Sequence, residues 1–301
     1  MKTGTVRDLL LMLRLHIVMI AIFGALVFGW LITGRYLWAM CLWAGLDWLL
    51  VNLMNRISDI PEDMVNDIPA TRRVMRFRKI LPAIYVALLL GSFAFSIKYY
   101  PALTGWRMIM QAMGLLYNFR IVPVRRGWTR LKEIYFCKNF MSALGFIVTG
   151  FCYPLALVHW HPLMNSAGVV VLILYFIPFE LSYEILYDLR DIEGDRALGV
   201  PTYPVVHGVQ TTRRIIQILL VSSIAIQGLS FVAGFIGIRE LLMAAGPLLQ
   251  YFIYRPLLRR TPAVEDCIRV TNYGVAMLIV YLLSTYGWIA AGLPENIFLR
   301  Y

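Results

Sequence analysis

The sequence is short of charge, of cysteine and histidine, and of any flexible spacer. Only 15% of its 301 residues are charged and 60% are hydrophobic, whereas an average soluble domain is about 25% charged and about 45–50% apolar. That balance excludes an ordinary soluble fold. The four cysteines, Cys41, Cys137, Cys152 and Cys267, stand singly, which leaves neither a disulfide framework nor a CxxC metal site. The four histidines, His16, His159, His161 and His207, have no partner at metal-ligand spacing, so nothing points to zinc. No Ser/Gly-rich linker or low-complexity tract divides the chain, and residues 1–301 read as a single membrane-embedded domain.

What the sequence has instead is long apolar runs. Crossing a hydrocarbon core takes roughly 20 residues, and only helices or closed barrels satisfy the backbone in lipid. About nine spans are predicted, at 11–33, 37–57, 80–97, 102–117, 134–157, 167–187, 213–236, 239–258 and 270–291. The fourth is the weakest, being short and carrying Arg107. The first is too long, and lacks the small-residue cleavage site, for a removable signal peptide. The expected fold class is therefore all-α: a polytopic membrane protein of about nine transmembrane helices around a central cavity open to the cytoplasmic side.

Lysine and arginine outnumber aspartate and glutamate 28 to 17, a balance that elsewhere suggests nucleic acid. Here the basic residues fall on alternate connections: Arg72, Arg73, Arg76, Arg78 and Lys79; Arg120, Arg125, Arg126, Arg130 and Lys132; Arg213 and Arg214; Arg255, Arg259 and Arg260. The facing connections carry little beyond Arg35, Lys98 and Arg239. By the positive-inside rule the basic connections are cytoplasmic, and the excess charge reflects topology and the lipid surface, with no nucleic-acid partner expected.

The scarce acids gather in two places. Asp47, Asn55, Asp59 and Asp63 are four or eight residues apart, which sets them on one helical face; Pro61 predicts a kink or helix end near Ile60. Glu180, Glu184, Asp188, Asp191 and Asp195 form a second stripe at spacings of four, four, three and four. Charge inside a bilayer costs about 2.5–3.5 kcal/mol per residue on insertion scales and is functional by default. Two converging acid stripes call for a counter-charge, and Mg²⁺ favours carboxylate oxygen together with phosphate. Glu62, Asp67 and Glu193 read as solvated surface charges. Asp47, Glu180 and Glu184 lie deeper and suit either a substrate pocket or a salt bridge within the bundle.

At these positions the chain resembles the UbiA superfamily of intramembrane prenyltransferases. Asn55, Asp59 and Asp63 match its NxxxDxxxD signature, and Asp191 and Asp195 its DxxxD signature. The stretch "DLRDIEGDRALGVPTYPVVHG" extends the second match through Asp188, Gly199, Thr202, Pro204 and Gly208. Arg56 stands where many members have Asp, "IPATRRVMR" replaces the usual Arg-Pro-x-x-x-Gly tail, and Tyr187 replaces a common Lys. The resemblance implies Asp59, Asp63, Asp191 and Asp195 as catalytic, and Asn55, Asp59, Asp63, Asp188, Asp191 and Asp195 as Mg²⁺ ligands. It further points to Lys132 as a phosphate contact; by position, Lys138, a lone charge about two turns into its helix, and Arg72 and Arg73, on a loop able to close over the site, read as diphosphate-binding too, and Asp47, Glu184 and Tyr187 as pocket residues.

The implied activity is Mg²⁺-dependent transfer of a prenyl group from a prenyl diphosphate to a lipophilic, aromatic or quinone-precursor acceptor. The protein would sit in the cytoplasmic membrane of a prokaryote with its site facing the cytoplasm. Two other readings stay open: an intramembrane terpene cyclase using the same acids, and a cation-binding transporter.

Overall fold

The structure, a computed structural model, describes residues 3–125 and 127–292; Arg126 of the second basic connection lies outside them. Every one of the nine apolar stretches falls on helix. In order these are α1 (Thr3–Met12), α2 (Leu15–Thr33), α3 (Trp38–Ser58), α4 (Ile60–Val65), α5 (Thr71–Phe77), α6 (Leu81–Tyr99) and α7 (Pro101–Asn118). A short antiparallel hairpin follows, β1 (Val122–Val124) and β2 (Gly127–Thr129), with Val122 opposite Thr129. The remaining helices are α8 (Cys137–Ile147), α9 (Tyr153–Leu157), α10 (Ser166–Ala197), α11 (Tyr203–Val232), α12 (Ile238–Leu241), α13 (Ala245–Leu257) and α14 (Val264–Ala290). Among the described residues, six helical stretches are long and apolar enough to cross a membrane: Leu15–Thr33, Leu81–Tyr99, Cys137–Leu157, Ser166–Ala197, Tyr203–Val232 and Val264–Ala290.

The helices depart from the predicted boundaries where local chemistry demands it. The first apolar stretch is not one helix from residue 11, because Arg14 takes a left-handed conformation (φ 48°, ψ 43°) that separates α1 from α2. Pro154 has no N–H to offer the residue four back, and the chain passes that turn as a π segment, Val148–Cys152, between α8 and α9. The sixth helix extends past its predicted membrane span, which ends at 187. It runs on to Ala197, so Asp188, Asp191 and Asp195 stay on regular helix. The seventh begins at Tyr203, which puts Arg213 and Arg214 inside α11 rather than in a loop. Gly208 bends that helix with φ 77° and ψ 160°, a region essentially closed to other residues.

The main core forms around α2, whose Leu26, Leu31 and Ile32 are fully buried with Met40, Leu103, Phe151 and Leu172 from the helices about it. A second cluster, Ile185, Leu189, Ile216, Leu220 and Tyr254, ties α10 to α11 and α13. Within the bundle, Asp47 accepts hydrogen bonds from Nε and Nη2 of Arg107 at 2.9 and 3.0 Å, from the Gln111 amide at 3.0 Å and from the Tyr153 hydroxyl at 2.7 Å. Arg107 is in turn held between the rings of Trp43 and Phe93, at 4.2 and 4.6 Å. Of the two roles its sequence position allowed, Asp47 therefore has the bundle salt bridge, and the arginine that weakened the fourth span is its partner.

Candidate active site

Helix α3 ends at Ser58 with Asp59 as its C-cap, and α4 opens with Pro61 in its first turn, so the chain turns at the predicted place. The turn is a kink rather than a stop: Asp59 leaves helical geometry at φ −99° and ψ 15°, yet the Asp63 N–H still donates to the Asp59 carbonyl at 2.8 Å. The Asn55 amide donates to Asp59 at 2.6 Å and to Asn118 of α7 at 3.2 Å. Lys132 is 1% exposed, and its ammonium lies 2.5 Å from Asp59 and 2.6 Å from Glu62. Arg56 pairs with Asp63 and donates to the Pro69 carbonyl at 2.9 Å. Arg14 reaches across from the α1–α2 break to Asn55 at 3.0 Å and Asp63 at 3.5 Å.

Burial pushes the Asp63 carboxyl above its ordinary range, against the pull of Arg14 and Arg56. Burial, helped by Asp59, does the same to Glu62. Glu133 goes the other way: burial would raise it, but hydrogen bonds from Thr129, Arg130 and Arg120 outweigh that and hold it at about 2. Glu133 thereby fixes the Arg130 side chain (2.8 Å) beside Glu62 (3.2 Å), two residues before Lys132.

The second cluster lies on α10 opposite the first turns of α8. Lys138 is 3.0 Å from Asp188 and 2.9 Å from both oxygens of Asp195. Asn139 donates to the other Asp188 oxygen at 2.7 Å. Arg190 grips Asp191 with contacts of 2.6 and 2.5 Å and lies over the Tyr187 ring at 4.5 Å, while the Tyr187 hydroxyl is 2.8 Å from Thr271. One and two turns deeper, Ser142 of α8 is shared by Glu184 at 2.9 Å and Glu180 at 3.2 Å. The two clusters are pinned together by the Gly194 N–H, which donates to Asn66 at 3.0 Å. Any Cβ at 194 would collide with the Asn66 side chain.

The acids of both motifs, Lys132 and Lys138 thus meet at one end of the bundle. Arg72 and Arg73 do so less directly, since Arg72 is exposed and Arg73 reaches back to Asp8 at 3.2 Å. Among the described residues, no three His, Cys, Asp or Glu side chains converge tightly enough to hold a metal ion by themselves; each motif carboxylate is instead closed by a lysine or arginine. Sequence reasoning missed Arg14, Arg130 and Arg190, and took Glu62 for a surface charge. Arg14 had one signal, a lone cation at the head of an apolar run; Glu62 and Arg130 meet 68 positions apart, and Arg190, although beside Asp191 in sequence, is placed by the cavity that its side chain borders.

Two cavities adjoin this assembly. The first, of about 180 Å³, is partly polar, with Arg14, His16, Asn55, Lys138, Glu184 and Arg190 on its wall. The second, of about 720 Å³, is almost wholly apolar and runs between α2, α10, α13 and α14 past Gly24, Phe28, Phe176, Gly246 and Met277. Ile20, Phe146, Glu180 and Tyr183 line both, so the acid clusters lie at the head of a polar-to-apolar passage. Its upper end offers hard oxygen donors without thiolate or imidazole among the motif residues, a donor set that fits Mg²⁺. Cations already paired to those oxygens are placed to meet a polyanion.

Comparison with known proteins agrees with this geometry. The sequence profile of the UbiA prenyltransferase family matches residues 15–271. A digeranylgeranylglyceryl phosphate synthase of Methanobrevibacter smithii is 25% identical over 150 residues, 50% of each chain; the match spans about half the length of that curated relative. A UbiA homolog from Archaeoglobus fulgidus, solved bound to GPP and Mg²⁺, superposes with a TM-score of 0.69 at 14% identity, covering 92% of this chain and 98% of that one. The apo UbiA homolog from Aeropyrum pernix K1 gives a TM-score of 0.58 at 14% identity, covering 88% and 98%. With the profile spanning most of the chain and both motifs at the head of the passage, this protein belongs to the UbiA prenyltransferase family.

Proposed function

We propose that the protein is a membrane-embedded prenyltransferase. It transfers a prenyl group from a prenyl diphosphate to a lipophilic acceptor, an aromatic or quinone-precursor ring being the class first expected. In this reading the helices surround a cavity open to the cytoplasmic side of a prokaryotic membrane. The observation that carries it is the meeting of the two acid motifs, each tied to its own lysine, above a passage that turns from polar to apolar. The Archaeoglobus homolog, of the same fold, was solved with GPP or DMAPP and Mg²⁺, which supports a donor of this chemistry.

Asn55, Asp59 and Asp63 on one side and Asp188, Asp191 and Asp195 on the other would hold Mg²⁺. When bound, the metal neutralises charge on the diphosphate leaving group. Lys132 and Lys138 supply cations to the diphosphate oxygens, Arg14 and Arg190 border the same space, and Arg72 and Arg73 lie on the neighbouring α5. The prenyl tail runs down the apolar cavity, whose walls keep water from the ionising bond. Departure of the diphosphate leaves an allylic cation at the boundary between the cavities, beside the rings of Phe146 and Tyr183 and the Glu184 carboxylate. Ring faces and carboxylates stabilise such a charge. Attack by the acceptor and loss of its proton complete the transfer.

The test is diphosphate release by purified protein in detergent, with geranyl and longer prenyl diphosphates, with and without Mg²⁺ and with and without candidate acceptors. Magnesium-dependent release that needs an acceptor is expected. Release without one, accompanied by a cyclic product, would move the activity to a cyclase; no release from any donor by folded protein would contradict enzymatic transfer.

A further inference from the structure

Glu180 is two helical turns, about 12 Å along the axis, below Asp188. It is 7% exposed and lines both the polar and the apolar cavity. Its one protein hydrogen-bond neighbour among the described contacts is Ser142, at 3.2 Å, and that hydroxyl also lies 2.9 Å from Glu184. A serine hydroxyl has a single proton to donate. The shorter contact claims it for Glu184, which leaves the Glu180 carboxylate without a protein donor, deep in the bundle and open to the passage. Burial of an acceptor without a donor costs about 1–3 kcal/mol and more when charged, a cost that a ligand bringing its own O–H would remove. Tyr183, the other polar side chain at the boundary, is already engaged with Thr271 and Tyr187.

We infer that Glu180 is the docking point and proton acceptor for a hydroxyl group on the acceptor substrate, its carboxylate left open because Ser142 is claimed by Glu184. This rests on the prenyltransfer reading and narrows it, making the acceptor a lipophilic alcohol or phenol whose oxygen is prenylated. In the step, the C–O bond of the prenyl diphosphate breaks and the diphosphate leaves with the electron pair. The acceptor oxygen forms a new C–O bond to the allylic carbon, and its proton passes to a Glu180 oxygen. Glu180 suits this position because it stands at the polar-to-apolar boundary, below the clusters that hold the leaving group and beside the wall along which the donor tail descends.

The experiment uses the full chain in detergent with geranyl diphosphate, Mg²⁺ and paired probes: a long-chain monoalkyl glycerol and an alkylphenol, each beside its fully O-methylated counterpart. The inference expects O-prenylation of at least one free-hydroxyl probe and none of the methyl ethers. It expects Glu180→Gln to lower kcat about 100-fold or more, a typical contribution of a positioned base. The same variant should keep the donor KM and the Mg²⁺-dependent binding of geranyl diphosphate within about twofold, with Glu180→Asp recovering part of the rate. Wild-type turnover by Glu180→Gln, or prenylation of the ether probes at carbon as fast as of the free hydroxyls, would overturn it. An equal loss of donor binding and rate would make Glu180 structural and overturn it too. If the wild-type protein neither binds nor cleaves any prenyl diphosphate, the prenyltransfer reading itself fails, an outcome told apart from the others by the wild-type control.

Discussion

At the scale of single residues, the sequence shows which acids share a face but not what stands opposite them. Asp47 belongs by spacing to the stripe of Asn55, Asp59 and Asp63, yet its oxygens are taken by Arg107, Gln111 and Tyr153. Removing one partner of a buried pair strands the other and costs about 3–5 kcal/mol, whereas apolar replacement of both is often neutral. Asp47→Ala is therefore expected to lower the thermal midpoint in detergent sharply, and the Asp47→Leu/Arg107→Met double variant to regain most of it. An unchanged midpoint for Asp47→Ala would show that the pair contributes nothing. The motif spacing was legible because four-residue intervals repeat on any helix. The cations that close the motifs were only partly so: Lys132 sits 73 positions from Asp59 and Arg130 is 68 from Glu62, separations that local patterning does not reach.

At the scale of elements, helix existence was legible throughout, since the bilayer imposes long apolar runs, while helix ends were not. Residues 188–197 lie past the predicted membrane span, and α10 continues through them, as the helical spacing of Asp188, Asp191 and Asp195 required; Lys138, Asn139 and Asn66 meet its side chains and backbone there. Gly194 marks the closest approach of this helix end to the loop after α4. Gly194→Ala should push Asn66 away, break the 3.0 Å bond and weaken prenyl diphosphate binding about tenfold or more while the bundle still folds; calorimetric titration of the donor checks it, and wild-type affinity would show that the two clusters need no such clasp. The hairpin and the turn carrying Lys132 depend on Glu133, whose carboxyl lies at about 2 instead of 4.5. A depressed pKa gives stability that is present above the unfolded value and lost as pH falls through the folded one. The difference in thermal midpoint between wild type and Glu133→Gln should thus be constant above pH about 4.5 and close toward pH 2. A difference that closes already between pH 7 and 5 would contradict that assignment.

At the scale of the whole molecule, the passage joins a charged head to an apolar body, a division already present in the sequence as acids at helix exits beside greasy spans. The cavity itself was not legible, because its walls come from α2, α10, α13 and α14, which no local pattern brings together. Gly24 lines it, and a Cβ added there meets nothing within 4 Å, so a larger side chain fits into the cavity rather than the core. Gly24→Leu is expected to shift the ratio of turnover with longer to shorter prenyl diphosphates downward by about tenfold, on the scale of a few lost methylene contacts at about 0.8 kcal/mol each; an unchanged ratio in competition assays would place the tail elsewhere. The central claim is that the two acid motifs act together on one diphosphate through Mg²⁺, and calorimetric titration of geranyl diphosphate tests it most directly. The account predicts binding by wild-type protein that disappears with EDTA and returns with Mg²⁺, and comparable losses for Asp59→Asn and Asp195→Asn, one from each motif. Donor binding that ignores Mg²⁺, or that survives loss of either carboxylate, would contradict it.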